Sequence, residues 1–125
     1  MEALVTVHSW TRWLVLLALV AGIVFALVRY LSKTEWNPNF FQLAVMVVDI
    51  QVAIGIVIWI FDNGWSETFF YKVLHPVFML LALGIAHMGF AIAKKRSEVR
   101  SWLIVAGSFL VSLVLIMGAI PWDRL

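Results

Sequence analysis

Within or beside the long uncharged runs of this chain stand a few polar side chains: His8, Arg12, Asp49, Gln51, His75 and His87, with the hydroxyls of Ser108 and Ser112. A polar group in such surroundings is costly, which makes each a candidate for chemistry. His8 and His75 suit one purpose in particular. Two imidazoles presented from opposite sides to one iron are what a six-coordinate b-type haem requires. Arg12 follows His8 by one turn on the same helical face, where a guanidinium could pair with a haem propionate or a quinone oxygen. Pro76 directly after His75 fixes the first turn of that helix and the angle of the side chain. Met79, one turn deeper, is a weaker candidate ligand. The competing reading is that histidine and arginine at a helix mouth simply reach headgroups and water.

Asp49 and His87 form a second constellation. Counted at 1.5 Å per residue from their nearer helix ends, Asp49 lies roughly 15 Å deep and His87 roughly 10 Å deep, within about one turn of each other. An ionised aspartate at that depth is strongly disfavoured unless paired or protonated, so a hydrogen bond from His87 is its natural partner. Such a pair serves either as one step of a proton path or as a structural clasp between two helices. Gln51, two residues beyond Asp49, points to a different face and is free to meet a partner helix or a ring nitrogen.

The elements that must position these groups are legible from charge alone. The 125 residues are 64% hydrophobic and only 13% charged, well outside the range of soluble domains. Runs 13–28, 73–93 and 101–122 carry no charge, and 40–61 is interrupted only by Asp49. Runs of about 20 residues span a hydrocarbon core of about 30 Å. The reading is one all-α domain over residues 1–125, with transmembrane spans at about 10–31, 40–61, 74–93 and 101–121. The connections "KTEWNPNFF", "FDNGWSETFFYK" and "KKRSEVR" are short, which makes successive helices antiparallel neighbours in an up-down-up-down four-helix bundle. In that arrangement His8 and His75 lie near the same end of two parallel helices.

Arg29, Lys33, Lys94, Lys95, Arg96 and Arg100 gather on one side, against Arg12, Lys72 and Arg124 on the other. The positive-inside rule then sets the basic loops in the cytoplasm and both termini outside. No positively charged leader or small-residue cleavage site precedes the first span, which is expected to be retained. Trp10, Trp13, Trp36, Trp65, Trp102 and Trp122 fall near expected helix ends, where their rings suit the headgroup level. Gly22, Gly55, Gly84 and Gly107 fall inside spans, where they permit close packing or leave room for a flat ligand.

Other chemistries find no support in the sequence. The absence of cysteine excludes disulfides, thiolate-held iron–sulfur clusters and c-type haem attachment. There is no HExxH, no phosphate loop and no nucleophile with a base at helical spacing, which argues against hydrolase and nucleotide-driven activity. The net charge of +2 is a topology signal rather than a nucleic-acid surface. Four short spans without a broken helix or inverted repeat do not suit a secondary transporter.

The segments "HSWTRW", "IQVAIGIVIW", "HPVFMLLAL" and "IPW", taken in order across nearly the whole chain, resemble a family of small four-helix membrane proteins of Bacteroidetes-type genomes labelled cytochrome b. The resemblance implies a haem-binding or respiratory-chain-associated membrane protein, with His8 and His75 at the family's histidine positions, Arg12 and Trp13 at its "RW", and Gln51 at its helix 2 glutamine. One departure stands out: the family has a histidine two residues before that glutamine, and here Asp49 stands there. If that histidine is a ligand in relatives, this chain has either lost the haem or turned to His87.

Three functional expectations follow. The first is a non-catalytic subunit of a respiratory or photosynthetic electron-transfer system, b-type haem-binding or quinone-adjacent, with His8 and His75 as iron ligands and Arg12 and Gln51 beside the cofactor. The second is a cofactor-free accessory subunit packed against other membrane subunits of a larger complex. The third, a proton-conducting or sensing bundle, rests on Asp49 alone. The expected surroundings are the lipid bilayer and further membrane subunits, with no nucleic acid.

Overall fold

A backbone surrounded by apolar side chains must satisfy its hydrogen bonds internally, and the uncharged runs do so as helices. The structure, a computed structural model, describes residues 2–122. The chain forms α1 (Glu2–Leu31), α2 (Asn39–Phe61), α3 (His75–Arg96) and α4 (Ser101–Gly118), with no strand among the described residues. Each of the four stretches is long and apolar enough to cross a membrane. Arg124 lies outside the described residues.

Several boundaries differ from the expectation. α1 begins at Glu2 rather than near residue 10, so His8 and Arg12 stand in the second and third turns of a continuous helix and not at its mouth. Thirty residues make α1 about 45 Å long, more than a bilayer core needs. α3 is entered through a π turn, Phe70–Leu74, in which the His75 N–H donates to the Phe70 carbonyl. Pro76 explains the widening: in a regular α-helix its ring would meet the Lys72 carbonyl four residues back, and a wider turn relieves that clash.

Contacts run around the four helices, α1 with α2, α2 with α3, α3 with α4 and α4 with α1. The α3–α4 seam is built on small residues. Ala82, Ala86, Gly89 and Ala93 are buried on one face of α3 and let α4 come close. Ser112 donates to the Ala82 carbonyl (2.8 Å) and Ser101 to the Ala93 carbonyl (2.8 Å), which ties the two helices at two levels. Ser108 donates within its own helix to Ile104 (2.8 Å) and packs against Gly89. Of the two serines singled out as chemical candidates, Ser112 is therefore occupied in holding α3 to α4 and Ser108 in bonding its own helix.

The turn between α3 and α4 closes tightly. Ser97 takes a left-handed backbone (φ 48°) and its N–H returns to Ala93 (2.9 Å). This basic end of the molecule is capped internally by aromatic rings. Trp36 stacks on Phe41 (5.6 Å between centroids, 5° between planes), and Trp102 meets Phe25, Trp36 and Phe41 edge-on. Trp102, near the start of α4, is only 1% exposed and turns into the bundle. Its indole N–H donates to the Thr34 carbonyl (2.8 Å), and a satisfied N–H lets the whole ring be buried. Trp10, by contrast, is 73% exposed.

The glycines divide. A Cβ on Gly22 would sit 2.9 Å from the Phe109 ring, a close approach between α1 and α4, whereas nothing lies within 4 Å at Gly84 or Gly107.

Candidate functional site

The end of the molecule opposite the basic turns holds the candidate site. His8 of α1 and His75 of α3 meet there with ring centroids 6.3 Å apart and planes at 82°. Each is positioned by different means. The Nδ1–H of His75 donates to the Ala119 carbonyl at the end of α4 (2.7 Å). A carbonyl only accepts, so the proton of the neutral ring sits on Nδ1 and the lone pair on Nε2. That is how metal-ligating histidines are usually oriented, one nitrogen on a carbonyl and the other toward the ion. Phe70 and Tyr71 of the π turn flank the ring, with centroids 6.0 and 6.3 Å away.

His8 is held through its backbone and by the space left for its ring. Gln51 Nε2 donates to the His8 carbonyl (2.7 Å), and the Thr11 hydroxyl contacts both that carbonyl (3.2 Å) and Gln51 Oε1. Gln51 thus fixes the main chain of His8 and does not reach a ring nitrogen. The imidazole fills the place a side chain would take at Gly55, whose Cβ would lie 3.1 Å from Cε1. Gln51 and Gly55 stand four residues apart, so one face of α2 supplies both the tether and the seat.

Three buried polar atoms at this end have no hydrogen-bond partner among the described residues: His8 Nδ1, Arg12 Nε and Trp59 Nε1. The Arg12 guanidinium lies over the Trp13 ring (5.0 Å) and has no carboxylate within ion-pair distance among the described residues. The Trp59 indole lies against Gly64 and Trp65, which leaves the Arg12 guanidinium as the group of the three that calls for a negative charge.

The donor set limits what could fill it. No group of three or more His, Cys, Asp or Glu is placed to hold a metal among the described residues. A structural metal ion needs about four protein ligands. Two histidines suit a metal whose remaining ligands come from a macrocycle. The donor set, two imidazoles and a guanidinium without a carboxylate partner among the described residues, is of the kind that would hold a haem. Met79, the deeper candidate, packs against the apolar core instead.

Asp49 and His87 are brought together, with Nε2 and Oδ1 2.6 Å apart, but the place is unexpected. Their side chains are 41% and 49% exposed, on the outside of the α2–α3 seam and away from the histidine pair. Neither joins the candidate haem site.

The contributions of Thr11 and of the Ala119 carbonyl go beyond the sequence expectations, and Gly55, expected to permit close packing or leave room for a ligand, seats the His8 ring. The four-residue spacing of Gln51 and Gly55 is the one signal that could have shown part of this. Comparison with protein-family models, curated proteins and solved structures finds no match.

Proposed function

We propose that this chain is an integral membrane electron-transfer subunit that holds one b-type haem between His8 and His75. The observation that carries the reading is the meeting of these two imidazoles, with the unpartnered Arg12 guanidinium one turn along α1 from His8. In this reading the four helices cross a bacterial inner membrane in up-down-up-down order, with both termini outside and the basic turns in the cytoplasm. Two kinds of fact support that course: Phe25 late in α1 packs on Phe40 early in α2, and Ser112 late in α4 bonds Ala82 early in α3. The likeness to four-helix proteins labelled cytochrome b points the same way.

A b-type haem supplies reversible one-electron exchange when bound. The chain's own residues do the rest. His75, anchored on Ala119 through Nδ1, keeps Nε2 free, while Gln51 and Thr11 fix the His8 backbone and Gly55 seats its ring. Arg12 offers an uncompensated charge for a propionate, or for a quinone oxygen where the electron partner is a quinone. Phe70 and Tyr71 flank the His75 ring and crowd the site from the α3 side.

A reduced-minus-oxidised spectrum of the detergent-purified protein, with a pyridine haemochrome count, tests this. About one b-type haem per chain is expected. No haem in protein purified with its partners attached would leave a cofactor-free accessory subunit as the better reading.

Gly55 provides a graded check. An alanine Cβ 3.1 Å from the His8 ring requires the imidazole to give slightly, and a valine displaces it. Haem content is expected to fall modestly in Gly55→Ala and at least tenfold in Gly55→Val, with helix content by circular dichroism unchanged. Equal haem in all three proteins would show that His8 is not held there as a ligand.

A further inference from the structure

The Asp49 and His87 pair faces outward. The seam between α2 and α3 carries it on its outer lip, with the two side chains 41% and 49% exposed and, among the described residues, bonded only to each other. In hydrocarbon the pair is favoured as an electroneutral unit holding two exchangeable protons. One lies between Nε2 and Oδ1. The other is on Nδ1 of His87, which leaves an N–H donor and the Oδ2 acceptor of Asp49 unanswered. Lipid tails offer neither a donor nor an acceptor.

Whatever covers this face must present one acceptor and one donor at the same depth. A second copy of the chain does so by symmetry. A two-fold axis along the membrane normal brings the same pair to the same level, facing the opposite way. Nδ1–H of each His87 then meets Oδ2 of the other copy's Asp49, which closes a ring of four hydrogen bonds with no group left over.

The surface around the pair permits the approach. Gly84 lies one turn before His87 with nothing within 4 Å of where its Cβ would be. Ala91, one turn after His87, and Ala53, one turn after Asp49, are exposed as well. Small residues of this kind let helix backbones come close in a membrane. We infer that the α2–α3 face is a homodimer interface, closed by reciprocal hydrogen bonds between Asp49 and His87 of one protomer and those of its partner. The inference rests on the membrane insertion proposed above and is independent of haem.

The absence of cysteine makes the test direct. Gly84→Cys and, as a control on another face, Leu17→Cys, which is 64% exposed on α1, are expressed in membranes and treated with a short bismaleimide. Gly84→Cys is expected to give a cross-linked homodimer at least five times more abundant than Leu17→Cys. Adding Asp49→Leu and His87→Leu to Gly84→Cys keeps the surface lipid-compatible and removes the reciprocal bonds, so the dimer should fall back to the control level. Retention in alkaline-washed membranes is measured in parallel. A retained chain that cross-links no better than the control, that cross-links chiefly to a different protein, or that stays dimeric with both leucines overturns the inference while membrane insertion stands. Loss from the washed membrane overturns both.

Discussion

Replacement of His75 by alanine is expected to reduce haem from about one per chain to below one tenth, with the helical circular dichroism spectrum retained. The ring does two things at once. It presents Nε2 to the site and it donates through Nδ1 to Ala119. Loss of the second leaves a carbonyl short of a partner, which costs about 1–3 kcal/mol if it is buried. His75→Asn separates the two roles, because its amide N–H can reach the carbonyl while offering no comparable ligand to iron. Asparagine should therefore restore the melting temperature but not the haem, and added imidazole should restore part of the haem to the alanine protein. Full haem in His75→Asn would exclude His75 as a ligand.

The largest effect on stability is expected at Gly89. A Cβ there would overlap both Cβ and Oγ of Ser108, and the Ser108 Cα lies only 3.6 Å away. Rotation of a hydroxyl cannot relieve a clash with Cβ, so α3 and α4 must separate along the seam that carries the Ser101 and Ser112 bonds. Overpacking of this kind costs about 1–3 kcal/mol. Gly89→Ala should unfold correspondingly earlier in detergent, and adding Ser108→Gly should recover most of the loss. The coupling appears as non-additivity in a double-mutant cycle. Gly107→Ala, where nothing lies within 4 Å, should be neutral or slightly stabilising. If Gly89→Ala and Gly107→Ala behave alike, the α3–α4 seam is looser than described.

Depth was legible in the sequence and azimuth was not. Uncharged runs mark the helices, and counting along them brings His8 level with His75 and Asp49 level with His87, because a helix rises by a fixed step. Rotation of each helix about its own axis is another matter. In soluble proteins an apolar stripe shows which way a helix faces. Here the helices are apolar nearly all round, so nothing in the pattern shows that Asp49 and His87 face outward or that Trp102 faces inward. The tether from Gln51 to the His8 backbone was hidden for a related reason, since main-chain acceptors have no signature in a sequence. The extension of α1 to Glu2 was missed because charge and hydropathy mark where a membrane begins, not where a helix does. Pro76 was legible as a fixed turn, but the π geometry before it depends on the carbonyl that its ring displaces.

That π turn also has a meaning in residue count. A π turn is an α-helix carrying one residue more than it needs. Deleting any one residue of 70–74 would close it to a regular turn, rotating the preceding loop by about 100° and leaving His75 and all that follows in place. The same deletion would return the carbonyl four residues before the proline, whichever residue then carries it, to the path of the Pro76 ring. The extra residue and the proline are therefore bound to one another in descent: a lineage that sheds the first can no longer keep the second, and one that replaces the proline is free to shorten the loop.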